Sequence, residues 1–265
     1  MNDGFRIAKN TVIDGIDLSG LYYSRLPEEI KEKFDAYNLG YVAVTGEPLE
    51  IREMFRRFQN GTSLKKVEIR HSVGGAVVDF IEETLKHDFL VNSCGCNETT
   101  NARMTFNYYI EQMLIFELYG ISTVKEKETT QLYKEYYEAI PEEISDKINT
   151  VLDYLYKAFG DFENKSLFSK TGIQGLYLVA REYYIEDQEY ENTDKFAEWF
   201  MWFENMRSYE KGLPEDERDS MFTKYNTFVN VGTSNKESFE GRRDVLIESW
   251  KKYLKENPQK SEEQE

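Results

Sequence analysis

From about residue 74 to residue 254 the chain carries hydrophobic residues at helical spacing almost without interruption, and those apolar stripes can only be satisfied by packing helices on one another. Val77, Phe80, Ile81 and Leu85 make the first stripe. Ile144, Ile148, Val151, Leu155 and Phe159 make a second, after a Pro141-Glu142-Glu143 start. A third comprises Leu176, Val179, Ala180 and Tyr183 and follows a break expected at Thr171-Gly172. Phe196, Trp199, Phe200 and Phe203 give a fourth, and Phe239, Leu246, Trp250 and Leu254 the last. Residues 104–118 are apolar on nearly every side, which predicts a central helix surrounded by others. Stripes of this kind are bundle cores far more often than cofactor boxes. With 265 residues, 40% hydrophobic and 15% aromatic, the chain can bury a core as one large domain or two small ones.

Ahead of these helices the pattern is mixed. Residues 39–45, LGYVAVT, have strand composition and alternation. Pro48 is expected to open a helix with Glu47 and Glu50 in its first turn, Ile51, Phe55 and Phe58 on its buried face, and Asn60-Gly61 as its left-handed end. Asp14-Gly15 between apolar pairs reads as a turn, and Gly74-Gly75 as a hinge between helices. The predicted fold class is therefore mainly α, a short β-containing N-terminal segment followed by a multi-helix bundle. Polar, charged residues 257–265 are expected to be a disordered tail. No apolar run reaches the roughly 18 residues that span a bilayer, and MNDGFRIAKN has no signal-peptide core. The expectation is a cytoplasmic protein without a membrane partner.

The charge distribution singles out one region. The chain carries −16 overall, yet residues 51–71 hold Arg52, Arg56, Arg57, Lys65, Lys66 and Arg70 against only Glu53 and Glu68. This window is net +4, leaving −20 on the rest. Such an island on an acidic body suggests an anionic ligand, a phosphate or a nucleic-acid backbone, with Arg52, Arg56, Arg57, Lys65 and Lys66 as the candidate contacts. A solvated helix face accounts for the same charges, with Arg52 and Arg56 one turn apart and Glu53 paired to Arg57. Phe55 and Phe58 read as core residues rather than stacking platforms.

The segment FRRFQNGTSLKKVEIR, residues 55–70, also resembles the later part of the N-terminal domain of GmrSD-type restriction systems, a nuclease-related family akin to the ParB and sulfiredoxin fold. Phe55, Arg57, Gln59, Asn60, Gly61, Leu64, Glu68 and Arg70 stand in step with that family's pattern, while His71 and Ser72 replace its usual Asn and Ala. Residues 21–44 look like the stretch leading into the motif, and residues 101–120 like the helix after it, so the resemblance spans residues 3–120. The family's Asp-Gly-Gln-Gln-Arg signature for nucleotide hydrolysis does not occur in the chain, and Asp14-Gly15-Ile16-Asp17 is not its equivalent. The resemblance implies a truncated nuclease-related region over residues 1–120 and a helical region over 121–256, with a boundary in 120–128. It further implies a fragment or partner subunit of a DNA-restriction or phage-defence protein, without catalysis of its own. Gln59, Asn60, Glu68 and Arg70 would then form one wall of a pocket completed by an upstream-encoded partner half, Arg70 offering a planar fork for phosphate and Glu68 orienting it. A nucleotide would bind only in that completed pocket, and no other cofactor is expected. The plainer alternative has Asn60-Gly61 capping a helix and Glu68 and Arg70 knitting two helices together.

Other chemistries find little support. Cys94 and Cys96 could offer two metal ligands, but no second pair of Cys or His lies at a workable spacing, so reduced loop thiols are expected. A Ser or Cys nucleophile would need a positioned His, and the two histidines, His71 at the end of a basic helix and His87 in an exposed-looking Lys86-His87-Asp88 turn, make no compelling partner for one. Glu82/Glu83 and Glu142/Glu143 diverge by about 100° on a helix and cannot share a substrate. No Walker or dinucleotide-binding glycine motif is present. Two further readings stay open: a stand-alone DNA-contacting module using residues 52–70, and an acidic helical interaction protein that meets a basic partner through residues 183–198.

Overall fold

The computed structural model describes residues 3–4, 6–38, 40–41, 43–46, 54, 65–160, 168–186 and 192–257, with backbone alone for residues 184–186. The fold is mainly α, a short β hairpin followed by a helix bundle, as the periodicity predicts. Two units divide the chain, Met1–Glu47 and Pro48–Glu265.

In the first unit, β1 (Val12–Ile13) and β2 (Ile16–Asp17) pair antiparallel, Val12 opposite Asp17 and Ile13 opposite Ile16. Asp14 and Gly15 both take positive φ, 50° and 81°, the two-residue turn that matches strand twist. The Asp14-Gly15 turn is thus present, and it makes the strands that alternation alone placed at residues 39–45. Residues 40–41 and 43–45 carry no strand, and Tyr41 is 90% exposed. Alternation cannot hold a strand without a neighbour to receive its ladder bonds, and no described segment pairs with this one. Helix α1 (Glu28–Asp35) begins after Pro27 with Glu28 and Glu29 in its first turn, and seats Ile30 against Leu18 and Leu26.

The second unit contains α2 (Lys66–His71), α3 (Ala76–Thr84), a π turn (Phe89–Ser93), α4 (Thr105–Tyr119), α5 (Glu126–Glu135), α6 (Glu142–Phe159), α7 (Lys170–Glu186), α8 (Thr193–Glu210), α9 (Ser220–Asn230) and α10 (Lys236–Glu256). Ring-shaped side chains dominate its core. Phe159, Phe196, Phe200, Trp199 and Trp250 meet one another tilted or edge to face at centroid distances of 5.2–6.4 Å. Trp199 resolves its one polar atom by donating to Ser249 Oγ at 3.0 Å. Helix α4 is the central helix its composition predicts, buried from Phe106 to Phe116 save Tyr108, and packed against α3, α5, α6 and α7. Its buried Glu117 accepts from Tyr177 and pairs with Lys147 at 2.6 Å and Arg181 at 3.1 Å, tying α4 to α6 and α7.

Two local expectations change. Thr171-Gly172 is not a break ahead of α7 but lies in its first turn, because Ser169 Oγ accepts from the Gly172 N–H at 3.2 Å and caps the helix. His87 is covered rather than exposed, its side chain 15% accessible, with Nδ1 accepting from the Phe89 N–H and Nε2 facing Asp153 at 3.2 Å. Over residues 120–128, where the resemblance implied a boundary, packing is continuous. Val124 is fully buried in the main core and its N–H donates to the Ser234 carbonyl at 2.9 Å. Residues 258–265, expected to be disordered, lie outside the described residues. Among the described residues no helix is long and apolar enough to cross a membrane.

Gly75 does more than hinge. It starts α3 at φ 90° and ψ 177°, a region essentially reserved for glycine, and a Cβ there would come within 2.6 Å of Tyr137 Cδ2 and 2.7 Å of the Tyr137 carbonyl oxygen. That same carbonyl accepts from the Ala76 N–H at 2.7 Å, so it cannot retreat without losing the bond that fixes the helix start. Gly75→Ala is expected to cost about 2–4 kcal/mol, backbone strain plus overpacking. Thermal denaturation should show a melting temperature about 5–15 °C lower.

Candidate functional site

Of the residues singled out by the basic window and its motif, Arg52, Arg56, Arg57, Gln59 and Asn60 lie outside the described residues, as do Phe55 and Phe58. Lys65, Lys66, Glu68 and Arg70 are described, on α2 and its entry. The local sequence explains this short helix. Lys65 enters in extended conformation, and Glu68 reaches back to accept the Lys65 N–H at 2.6 Å. Val67 and Arg70, three apart, share the inward face. Ser72 Oγ then donates to the Ile69 carbonyl, and Gly74 turns the chain at φ 76°.

The structure divides Glu68 and Arg70 differently from the motif-based expectation. Arg70 is not oriented by Glu68. Its guanidinium donates through Nε at 3.0 Å and Nη2 at 2.6 Å to the two oxygens of Glu111, on the middle of α4. Glu111 is fully buried and also accepts from the Tyr133 hydroxyl at 2.9 Å. Burial holds the Glu111 carboxyl above the usual carboxylate range, opposed by Arg70 and by Tyr133. Glu68 pairs with Arg103 instead, Oε1 to Nε at 2.9 Å. The reason is geometric: Arg70, one turn after Val67 on the inward face, reaches the core helix, while Glu68, recruited to its own helix start, faces the loop ahead of α4.

Around this anchor lies a cavity of about 720 Å³ whose lining includes Lys65, Lys66, Arg70, Arg103, Lys125, Lys127 and Lys170, with Glu126 the one acid among the described lining residues. Lys66 pairs with Glu126. Lys170 lies with its ammonium 5.1 Å from the centre of the Tyr108 ring. Partial burial, aided by the charge of Arg242, lowers the Lys170 pKa from its ordinary value. The cavity also collects helix beginnings: α4 starts beside it after Met104, α5 after Lys125, and α7 at Lys170 itself. A helix start carries a partial positive charge. Met104 holds a left-handed conformation, φ 53°, rare for a side chain of its kind, with Asn101 Oδ1 accepting the Phe106 N–H at 2.9 Å to secure the turn. At the back, Tyr108 donates to the Val124 carbonyl at 3.2 Å and lies 3.3 Å from Ser234 Oγ, closing the wall between α4 and the loop ahead of α10.

Such a cavity is chemically suited to bind an anion by point charges, helix ends and one guanidinium held in place. Lys65, Lys66 and Arg70 were legible as a run. Arg103, Lys125, Lys127 and Lys170 were not, because Arg103 and Lys170 are single cations in neutral stretches and Lys125 and Lys127 alternate with Glu126 and Glu128. Their one advance signal is position: Lys125 and Lys170 each stand where a helix begins.

Elsewhere, Cys94 and Cys96 are buried and not joined in a disulfide, and burial pushes the Cys96 pKa up to about 11. Among the described residues no group of three or more His, Cys, Asp or Glu is placed to hold a metal ion. His71 Nε2 faces Glu82 at 3.2 Å. Comparison with known proteins returns no matching family model, no matching curated protein and no matching solved structure, so the functional case rests on the cavity itself.

Proposed function

We propose that the unit containing residues 48–265 binds a phosphate-bearing anion in the cavity between α2, α4, α5 and α7. The observation that carries this reading is that Lys65, Lys125, Lys127 and Lys170 border one cavity of a −16 chain with no carboxylate partner among the described residues. Grouping cations without counter-ions costs electrostatic energy in the free protein, and an anion returns it. Binding is non-covalent in this reading, with the lysines supplying mobile point charges.

DNA contact through the same lysines is one form of the proposal, limited to the phosphates the cavity can reach. A second reading, a subunit of a DNA-restriction system completed by an upstream-encoded half, draws on the resemblance of residues 55–70 and on Arg70 lining the cavity. Co-expression with such a half, followed by a nucleotide-hydrolysis assay, tests it, and an inactive pair would dismiss it.

Isothermal titration at low salt with inorganic pyrophosphate, and separately with a 5′-phosphorylated single-stranded oligonucleotide, tests the main reading. At least one should bind, with affinity falling as salt rises and falling about tenfold in Lys125→Ala/Lys170→Ala. Absence of binding by both, or binding indifferent to the double substitution, would overturn it.

A further inference from the structure

The charge balance of the cavity also points to which anion it takes. Of the seven cations among its described lining residues, and counting described partners alone, Arg70 is neutralised by Glu111, Arg103 by Glu68 and Lys66 by Glu126. Four lysines are left over, and they come from three places: Lys65 ahead of α2, Lys125 and Lys127 at the start of α5, and Lys170 at the start of α7. Lys125 stands in extended conformation ahead of the helix and Lys127 in its first turn, and both line the same cavity. The starts of α4 and α7 add partial positive charge of about +0.5 each, while that of α5 is offset by Glu126 and Glu128 in its first turn.

Resting on the anion-binding reading above, we infer that the cavity selects a compact polyphosphate, two or three phosphates joined in one small molecule, over a single phosphate or an extended nucleic acid. One phosphomonoester brings about −1.5 to −2 at pH 7, which balances at most half of the four unpaired lysines. A chain of two or three phosphates matches their charge and spans their separate positions, and about 720 Å³ is a volume typical of small-molecule sites. An extended nucleic acid meets the opposite problem. Its further phosphates must be carried by a chain of net charge −16, so added length brings repulsion. The Lys66–Glu126 pair is exposed on both sides, the kind that contributes little, so a polyphosphate can take Lys66 from Glu126 with small loss.

The test is titration calorimetry of the full chain at one fixed ionic strength, comparing sodium tripolyphosphate, sodium orthophosphate and a 20-nucleotide single strand. Tripolyphosphate is expected to bind at least about 30-fold more tightly than orthophosphate and more tightly than the oligonucleotide. Lys125→Ala/Lys170→Ala should remove about tenfold or more of the tripolyphosphate affinity, with a smaller effect on orthophosphate and an unchanged melting temperature. Lys251→Ala, an exposed cation on α10 outside the cavity lining, should bind as the parent does. Equal affinity for orthophosphate and tripolyphosphate, or tightest binding to the oligonucleotide, would overturn the inference while leaving anion binding in place. Failure of every anion to bind would overturn both.

Discussion

Arg70→Met is expected to lower stability by about 3–5 kcal/mol, because it leaves Glu111 buried without its counter-charge. The melting temperature should fall by about 6–20 °C. Glu111 is fully buried on α4, and the only described groups that satisfy it are Arg70 and Tyr133. Removing both charges is a different matter. Arg70→Met/Glu111→Leu/Tyr133→Phe replaces the network by apolar groups and should regain most of the loss, since an ion pair in the interior gains little over well-packed hydrocarbon.

The pH dependence of the single variant follows from sign. Burial raises the Glu111 pKa in the folded protein, and Arg70 is the largest opposing influence. With Arg70 gone the folded-state pKa rises further above the unfolded one. The native state then holds a proton that the unfolded chain releases, so stability increases as pH falls through the folded pKa towards the unfolded one. The deficit of Arg70→Met relative to the parent should therefore shrink on going from about pH 7 to about pH 5. Denaturant melts at both pH values measure it, and a deficit that widens on acidification would contradict the assignment of Glu111 as the orphaned group.

Arg242→Met should cost about 2–5 kcal/mol and also weaken anion binding, although Arg242 does not line the cavity. Its guanidinium is fully buried and has no carboxylate partner among the described residues. It donates to the Phe228 carbonyl at 2.8 Å, the Thr233 carbonyl at 2.9 Å and Gln174 Oε1 at 3.3 Å, and lies 4.8 Å from the centre of the Phe239 ring. These acceptors belong to the end of α9, the loop after it and α7. The side chain thus fastens the loop that brings Ser234 to the cavity wall and Val124 to its backbone partner. Methionine fills much of the volume but leaves three poorly solvated acceptors unpaired. Thermal melts together with tripolyphosphate titration check the two effects. A variant more stable than the parent would mean that the burial cost of the unpaired cation outweighs its three hydrogen bonds.

Helices whose stripes are broad and whose ends carry punctuation were legible beforehand. Helix α6 starts after Pro141, ends at Gly160 with φ 55°, and buries Ile148, Val151, Leu155 and Phe159 as its spacing predicts. The last turn of α10 likewise follows from Leu246, Trp250 and Leu254. Helix α5 was missed because EKETTQLYKE is polar on most sides and buries only Thr129, Leu132 and Tyr133. Helix α1 was missed for the same reason, since Ile30 is its one buried residue. Both are helices that tertiary contact and N-terminal carboxylates make worthwhile, not helices that advertise a hydrophobic face. The strand expected at residues 39–45 failed in the opposite way, having the pattern but no partner among the described residues.

The sequence by itself determined that this chain would bury aromatic and aliphatic stripes between helices, that Asp14-Gly15 would turn, and that a basic island would stand on an acidic body. Those properties depend on neighbours within a few positions, where spacing and turn chemistry act directly. Only the tertiary structure decided that Arg70 would face Glu111 rather than be oriented by Glu68, and that Lys65, Lys125, Lys127 and Lys170 would border one cavity. These cations belong to three helix starts far apart along the chain, and charge acts through space. What brings them together is the packing of α4 against α5 and α7 and of α2 against α5, which local spacing does not encode.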